Sequence, residues 1–354
     1  MAIVITDDDV RRLLPMPDCI EAMRVAFRDY AQGKAVTKPR IRYRAEMPGA
    51  DHVYFANVHV GAVPSYGMAC VRAGSQCLLP ADPSSDRKTY ANPEPVNWTV
   101  IILYDMATAE PVAFLHESYL SGLRVGATTG AAVAEIARDD VTELGLFGTG
   151  RQARTSARAI CAARPSIRRI RVFSPTAAHR EAFHSHIDLP GVEIVPVDGP
   201  EAVIAGADIV CASTNSTKPV FDGALIEDGQ MVISIANSDV TAPRYEVDAA
   251  TVTKATDIVI NDWASVESNN QVELLNPIAS GAIDTDHIHE LGDLLAGRKT
   301  VRQQDGRIIY YKNNTGLGMQ FAAAGAVVYR KLKEEGTNRT IPRDWLASEK
   351  YSQS

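Results

Sequence analysis

Leu144-Gly145-Leu146-Phe147-Gly148-Thr149-Gly150-Arg151-Gln152-Ala153 is the stretch on which the fold turns. A short apolar strand runs into a G-x-G-x-x-A turn and then into a segment rich in Ala and Arg that reads as a helix. Gly148 allows the tight turn and Gly150 lets the backbone approach a pyrophosphate. Ala153 lets helix and strand pack closely while the helix N-terminus, with Thr149, Arg151 and Gln152 around it, faces the phosphates. A bare glycine pattern is weak evidence, but the strand before it, the helix after it and a second strand at the expected distance supply the context that a dinucleotide site requires. The competing reading is a structural turn.

Working outward, buried-type strands are expected at Leu144–Phe147, Ile170–Phe173, Val192–Val197, Ile209–Cys211, Met231–Ile235 and Ile258–Ile260, with room for crossover helices between them. That alternation predicts a parallel, doubly wound sheet. Before it, a helix full of small residues begins near Gly122. The N-terminal segment reads differently. Thr6 followed by three aspartates is a capped helix start, Asp18 to Gln32 is an amphipathic helix, and Arg40–Arg44, Val53–Val60, Met68–Ala73 and Thr99–Tyr104 have strand patterns. Pro80 to Pro95 reads as a long polar loop or lid. A strand at Ile308–Tyr311 and a helix from Gly316 to about Lys333 end the chain.

At 354 residues, with 45% apolar and 22% charged residues, the chain fits two ordinary globular domains. A net charge of −7 offers no basic surface for nucleic acid, which leaves a small molecule as the expected partner. The five cysteines are odd in number and contain no C-x-x-C pair, so neither a disulfide framework nor a zinc site is indicated, and no metal is expected. With no apolar run long enough to span a bilayer, the expectation is a cytoplasmic protein without a membrane partner.

The second strand of the parallel series ends at Phe173-Ser174-Pro175-Thr176, where an NAD-selective site would offer an acid to the ribose 2′-hydroxyl. Ser174 and Thr176 can instead donate to a 2′-phosphate, and His179 or Arg180 can add charge, so NADP is read ahead of NAD. Against this, His179 and Arg180 also read as ordinary solvated helix residues.

Leu120-Ser121-Gly122-Leu123-Arg124-Val125-Gly126-Ala127-Thr128-Thr129-Gly130, followed by the glycine loop, resembles the ornithine cyclodeaminase and mu-crystallin family over nearly the whole chain. Tyr104-Asp105 through Glu110-Pro111 occupy the place of the turn that precedes the family's arginine helix. The resemblance implies a Rossmann domain inserted into an α+β domain for substrate binding and dimerisation. The expected boundaries are 1–121 and 312–354 for the substrate and dimer domain and 122–311 for the NAD(P) domain, in a homodimer.

Arg124 matches the family arginine that holds the substrate carboxylate, and a guanidinium at a helix N-terminus suits a two-bond grip on an anion. The alternative is an exposed helix arginine. Where the family has an active-site lysine, Arg72 is the nearest match. It stays charged and is a poor proton carrier, yet it can bind a carboxylate or polarise a carbonyl. Asp239 matches the family's catalytic aspartate only with a one-residue shift. It is a candidate acid and base, or a loop cap. Lys312 and Asn314 stand where the family has a stretch that approaches the nicotinamide from the other domain, and the resemblance makes them candidates for that contact, although Asn314 and Thr315 also read as the cap of the last helix. Thr214 resembles the family threonine near the nicotinamide ribose.

Three functions remain open on this reading. One is an NAD(P)-dependent oxidoreductase that transfers hydride at the α-carbon of an amino or imino (ketimine) acid. Another is an ornithine cyclodeaminase that returns the hydride and shows no net redox. The third is a non-catalytic NADP-binding protein of the mu-crystallin kind. The displaced aspartate and the missing lysine put the first ahead.

Overall fold

The computed structural model describes residues 1–79, 98–236, 238, 244–314 and 316–348. The polar Pro80 to Pro95 segment, Asp239 and Thr315 lie outside the described residues. Two compact units emerge: 1–18, 32–121 and 316–354 form one, while 19–31 and 122–315 form the other. Among the described residues no helix is long and apolar enough to cross a membrane.

The first unit is built on a mixed sheet of β1 (Ala2–Ile5), β2 (Val36–Thr37), β3 (Ile41–Glu46), β4 (Val53–Val63), β5 (Met68–Leu78), β6 (Trp98–Asp105) and β7 (Pro111–His116), with a short returning strand at Thr340–Ile341. β3 to β7 pair antiparallel as consecutive hairpin neighbours, and β1 adds to β7 in parallel. The buried alternate residues Ile101 and Leu103 pack toward the last helix, Gly318–Glu335, whose Met319, Phe321 and Ala322 are fully buried. Helix α1 (Asp7–Leu13) starts as expected: the Thr6 hydroxyl accepts from Asp9 N at 3.3 Å while Asp9 accepts from Thr6 N at 2.9 Å.

In the second unit the strands β8 (Glu143–Phe147), β9 (Arg169–Phe173), β10 (Glu193–Pro196), β11 (Ile209–Ala212), β12 (Met231–Ser234), β13 (Asp257–Ile260), β14 (Ile288–Glu290) and β15 (Ile309–Lys312) make a sheet of order β10-β9-β8-β11-β12-β15-β13-β14. Every pairing in it is parallel. The central strands β11, β12, β13 and β15 are buried at every residue, as expected where a parallel sheet is covered on both faces. The order reverses at β8, with β9 on one side and β11 on the other. One face is packed by Phe147, Val210, Val232, Ile258 and Tyr310.

Helix α2 (Met16–Ala31) belongs mostly to this second unit: the Ile20 side chain lies against Gly130, and Phe27 O lies 2.9 Å from where a side chain on Gly292 would begin. The 312 boundary also needs correction. β15 is flanked by β12 and β13, so Lys312 to Asn314 stay with the parallel sheet, and the break falls at Gly316. Helix α3 (Tyr119–Ile136) packs on α4 (Arg151–Ala163) at very short range. A side chain on Gly126 would meet Thr155 O at 2.5 Å, which accounts for the run of small residues there.

Candidate functional site

The loop between β8 and α4 has the geometry that its glycines predict. Gly148 has φ +103°, its N–H donates to Phe173 O at 2.9 Å, and a Cβ there would lie 2.4 Å from Ser213 O. A larger residue at 148 is therefore excluded by both backbone conformation and contact. Gly150 is different. It caps α4 in an extended conformation, and nothing lies within 4 Å of where its Cβ would stand. The opening is bordered by the first turn of a 13-residue helix, whose N–H groups have no intrahelical acceptors. Ala153 is buried against the sheet, while Thr149 and Gln152 are half-buried and Arg151 is exposed. An opening lined by main-chain donors fits a pyrophosphate.

At the end of β9, Ser174 is buried and Thr176 exposed. Arg180 folds back over them. Its Nη1 donates to Ser174 O at 3.1 Å, its Nη2 pairs with Asp198 at 2.6 Å, and its guanidinium lies 6.0 Å from the Phe173 ring centroid. Arg180 is thus a fixed cation at the strand end and not only a solvated helix residue. Asp198, which sequence reasoning missed, is the acid beside it.

Beyond β11 and β12 the side chains turn inward. Thr214 donates from both N and Oγ1 to Glu246, the latter at 2.8 Å. The other oxygen of Glu246 accepts from Ser234 Oγ at 3.0 Å, Ile235 N at 2.9 Å and Ala236 N at 2.7 Å. Burial pushes the Glu246 carboxyl upward, opposed by the Lys312 charge and these donors. Lys312 itself is fully buried, ion-paired with Glu273, and donates to Ser234 Oγ and Ala236 O. It does not reach across from another domain, as the sequence had implied. It sits in the middle of the parallel sheet, opposite Ser234 and Ile260.

Asn314 is corrected in the same way. Its Oδ1 accepts from Asn261 N at 2.8 Å and its Nδ2 donates to Asp262 O at 2.9 Å, so it ties the end of β15 to β13. Nor does it cap the last helix, where Gln320 Oε1 takes the Leu317 N–H at 3.1 Å. The neighbouring Asn313 was overlooked. Its amide donates to Val125 O at 3.1 Å and Thr129 Oγ1 at 2.8 Å, fixing the turn of α3 that carries Arg124.

Arg124 is 7% exposed, so the reading of it as a surface arginine fails. Because α3 begins at Tyr119, Arg124 lies past the first turn, and the field of the helix terminus no longer contributes to the argument. It is buried alongside Leu123, Val125 and Ala127.

Arg72, on β5 of the first unit, faces His59 and Ile101 across the sheet. Glu117 Oε2 accepts from its Nη2 at 2.9 Å and its Nε at 3.3 Å, and Asn57 Oδ1 accepts from its Nη1. Glu117 is 2% exposed, and its Oε1 has no hydrogen-bond partner among the described residues. Glu117 follows β7 in the chain and carried no sequence signal.

The ornithine cyclodeaminase/mu-crystallin family model matches residues 2–336. The chain is 26% identical over 344 residues to Delta(1)-pyrroline-2-carboxylate reductase of Bacillus cereus, covering 96% of this chain and 99% of that protein. It superposes on Thermococcus litoralis Delta(1)-pyrroline-2-carboxylate reductase, solved in complex with NADH and L-proline, with a TM-score of 0.79 at 25% identity over 96% of this chain and 100% of that one. An archaeal alanine dehydrogenase dimer with bound NAD has the same fold, with a TM-score of 0.78 at 24% identity over 94% and 97% of the two chains. The chain belongs to the ornithine cyclodeaminase/mu-crystallin family.

Proposed function

We propose that this protein is an NAD(P)-dependent reductase of imino acids, working reversibly on the matching amino acids by hydride transfer at the α-carbon. The observation that carries the reading is the β8 turn, with its opening at Gly150, on the same unit as the buried Arg124. In this reading the unit is a Rossmann domain inserted into a substrate and dimer domain. Gly148, Thr149, Gly150, Arg151, Gln152 and Ala153 hold the pyrophosphate, Ser174 and Thr176 stand at the adenine ribose, and Thr214 stands toward the nicotinamide ribose. When bound, NAD(P)H supplies the hydride that reduces the C=N carbon.

Arg124 grips the substrate carboxylate through two parallel bonds and orients the carbon to be reduced. Arg72, fixed by Glu117, contributes a permanent positive charge and not a proton. The proton that the imine nitrogen needs is assigned to Asp239. Five-membered cyclic imino acids are the first substrates to try, since the Bacillus cereus and Thermococcus litoralis relatives are Delta(1)-pyrroline-2-carboxylate reductases. The protein works in the cytoplasm as a homodimer. Supporting the dimer, Tyr43, Tyr54, Trp98 and Val100 leave an apolar face of the first unit's sheet exposed, with Trp98 at 67%.

The test is NAD(P)H oxidation with Delta(1)-pyrroline-2-carboxylate, alongside ornithine. Imine-dependent loss of NAD(P)H supports the reading. Conversion of ornithine without net change in NAD(P)H makes the protein a cyclodeaminase, and nucleotide binding without turnover makes it a binding protein.

A further inference from the structure

In a parallel sheet whose order reverses at β8, a dinucleotide spans the crevice at the strand ends, with the adenosine half over β9 and the nicotinamide half over β11 and β12. Two main-chain segments form the floor on the nicotinamide side: 213–214 after β11 and 235–236 after β12. Both are held by one side chain. Glu246 Oε1 takes the two donors of Thr214, and Glu246 Oε2 takes Ser234 Oγ and the N–H groups of Ile235 and Ala236. Ser213 in turn bears on the glycine loop, since its carbonyl oxygen closes the space beside Gly148. The Ala236 main chain is held on both sides, its N–H by Glu246 and its carbonyl by Lys312, while Ser234 Oγ bridges the two charged groups.

We propose that Glu246 is a positioning residue for the nicotinamide half of the dinucleotide, aligning the ends of β11 and β12 so that the hydride donor sits at a fixed distance and angle. The inference rests on the NAD(P) reading above. A buried carboxylate that served packing alone would need only to be neutralised. This one is fully buried, yet among the described residues its acceptor bonds, apart from the Ser234 hydroxyl, end on residues just past two adjacent strand ends. Among the described residues, none that its side chain holds lies on the β9 side. The adenosine half should therefore be indifferent to it.

Glu246→Gln separates the two halves. The amide is the same size, but its NH2 group cannot accept. Two backbone N–H groups demand the oxygen at Ile235 and Ala236, so the NH2 faces the N–H of Thr214 and that contact is lost. The experiment titrates the variant with NAD(P)H and with AMP, or adenosine 2′,5′-bisphosphate if NADPH is the tighter ligand, and follows kcat. The expected result is NAD(P)H affinity and kcat lowered by about 10- to 100-fold, the scale of one lost bond to a buried charge, with affinity for the adenosine half alone within about twofold of the parent. Equal loss of both ligands, or no change in either, overturns the proposal. Should Glu246→Gln not fold, Ser234→Ala removes only the bridging hydroxyl and decides by the same two titrations, with a smaller loss of about threefold to tenfold confined to NAD(P)H. If the parent protein binds neither nucleotide, it is the cofactor reading itself that fails.

Discussion

The two units use buried charge in opposite ways. In the second, Glu246 and Lys312 grip main chain, so the charges set where the ends of β11 and β12 lie. In the first, Glu117 grips another side chain, so its charge sets where one guanidinium points. A carboxylate holding backbone shapes a surface, whereas one holding an arginine shapes a single group. Loss of the first should be read in cofactor binding, and loss of the second in substrate handling.

The largest effect that sharpens this contrast is at the glycine loop. Gly150→Val adds a side chain into open space, so it should leave folding intact and abolish NAD(P)H binding by blocking the main chain from the pyrophosphate. Gly148→Val should fail differently, because its φ of +103° and the 2.4 Å approach to Ser213 O are incompatible with a side chain. The backbone strain alone is of order 1–3 kcal/mol, and thermal unfolding should show a destabilised protein. Unchanged fluorescence titration of folded Gly150→Val contradicts the cofactor assignment.

Next comes Arg124→Ala, which should remove roughly 3–5 kcal/mol of transition-state stabilisation, the range for losing one partner of a buried charge pair. NAD(P)H affinity should hold, and Arg124→Lys should recover only part of kcat/KM because a point charge lacks the planar fork. Near-normal turnover by folded Arg124→Ala would transfer the carboxylate role to Arg72.

Glu117→Gln should be milder. Weakening the charge-assisted contact with Arg72 is worth about 1.5–3 kcal/mol, expected as a lower Tm and a raised KM for the imino acid with NAD(P)H affinity unchanged. A loss of cofactor affinity in this variant would erase the contrast between the two carboxylates.

What the sequence made legible follows the same division. The central strands β11, β12 and β13 read as apolar runs because a sheet covered on both faces needs them, and Gly148 and Gly150 were marked by tasks that only glycine performs. Local signals also found α1 through Thr6 and Asp9, which are three residues apart. The long-range partners left no such mark. Glu246 lies 32 residues from Thr214, Glu117 lies 45 from Arg72, and Asn313 lies 188 from Val125. No periodicity links such pairs. Lys312 and Asn314 were singled out by motif position, and the fold turned both into supports for strand ends. Strands β1 and β7 went unread, and they pair with each other in parallel from distant parts of the chain, Ile3 opposite Ala113.

The smallest effect concerns coenzyme choice. With Arg180 fixed over Ser174, NADPH should be preferred, and Arg180→Ala should erode that preference by up to tenfold, about 1.4 kcal/mol. Titration of both coenzymes with both proteins checks it. Asp198 holds the same guanidinium, so NADH preference in the parent protein would mean that the acid prevails.

The central claim is hydride transfer to an α-carbon, and deuterium tracks it directly. With NAD(P)H deuterated at C4 on the transferred face and Delta(1)-pyrroline-2-carboxylate as acceptor, the account predicts proline carrying one deuterium at Cα, formed in step with NAD(P)+. Unlabelled proline appearing only from ornithine, with no accumulation of NAD(P)+, would contradict it.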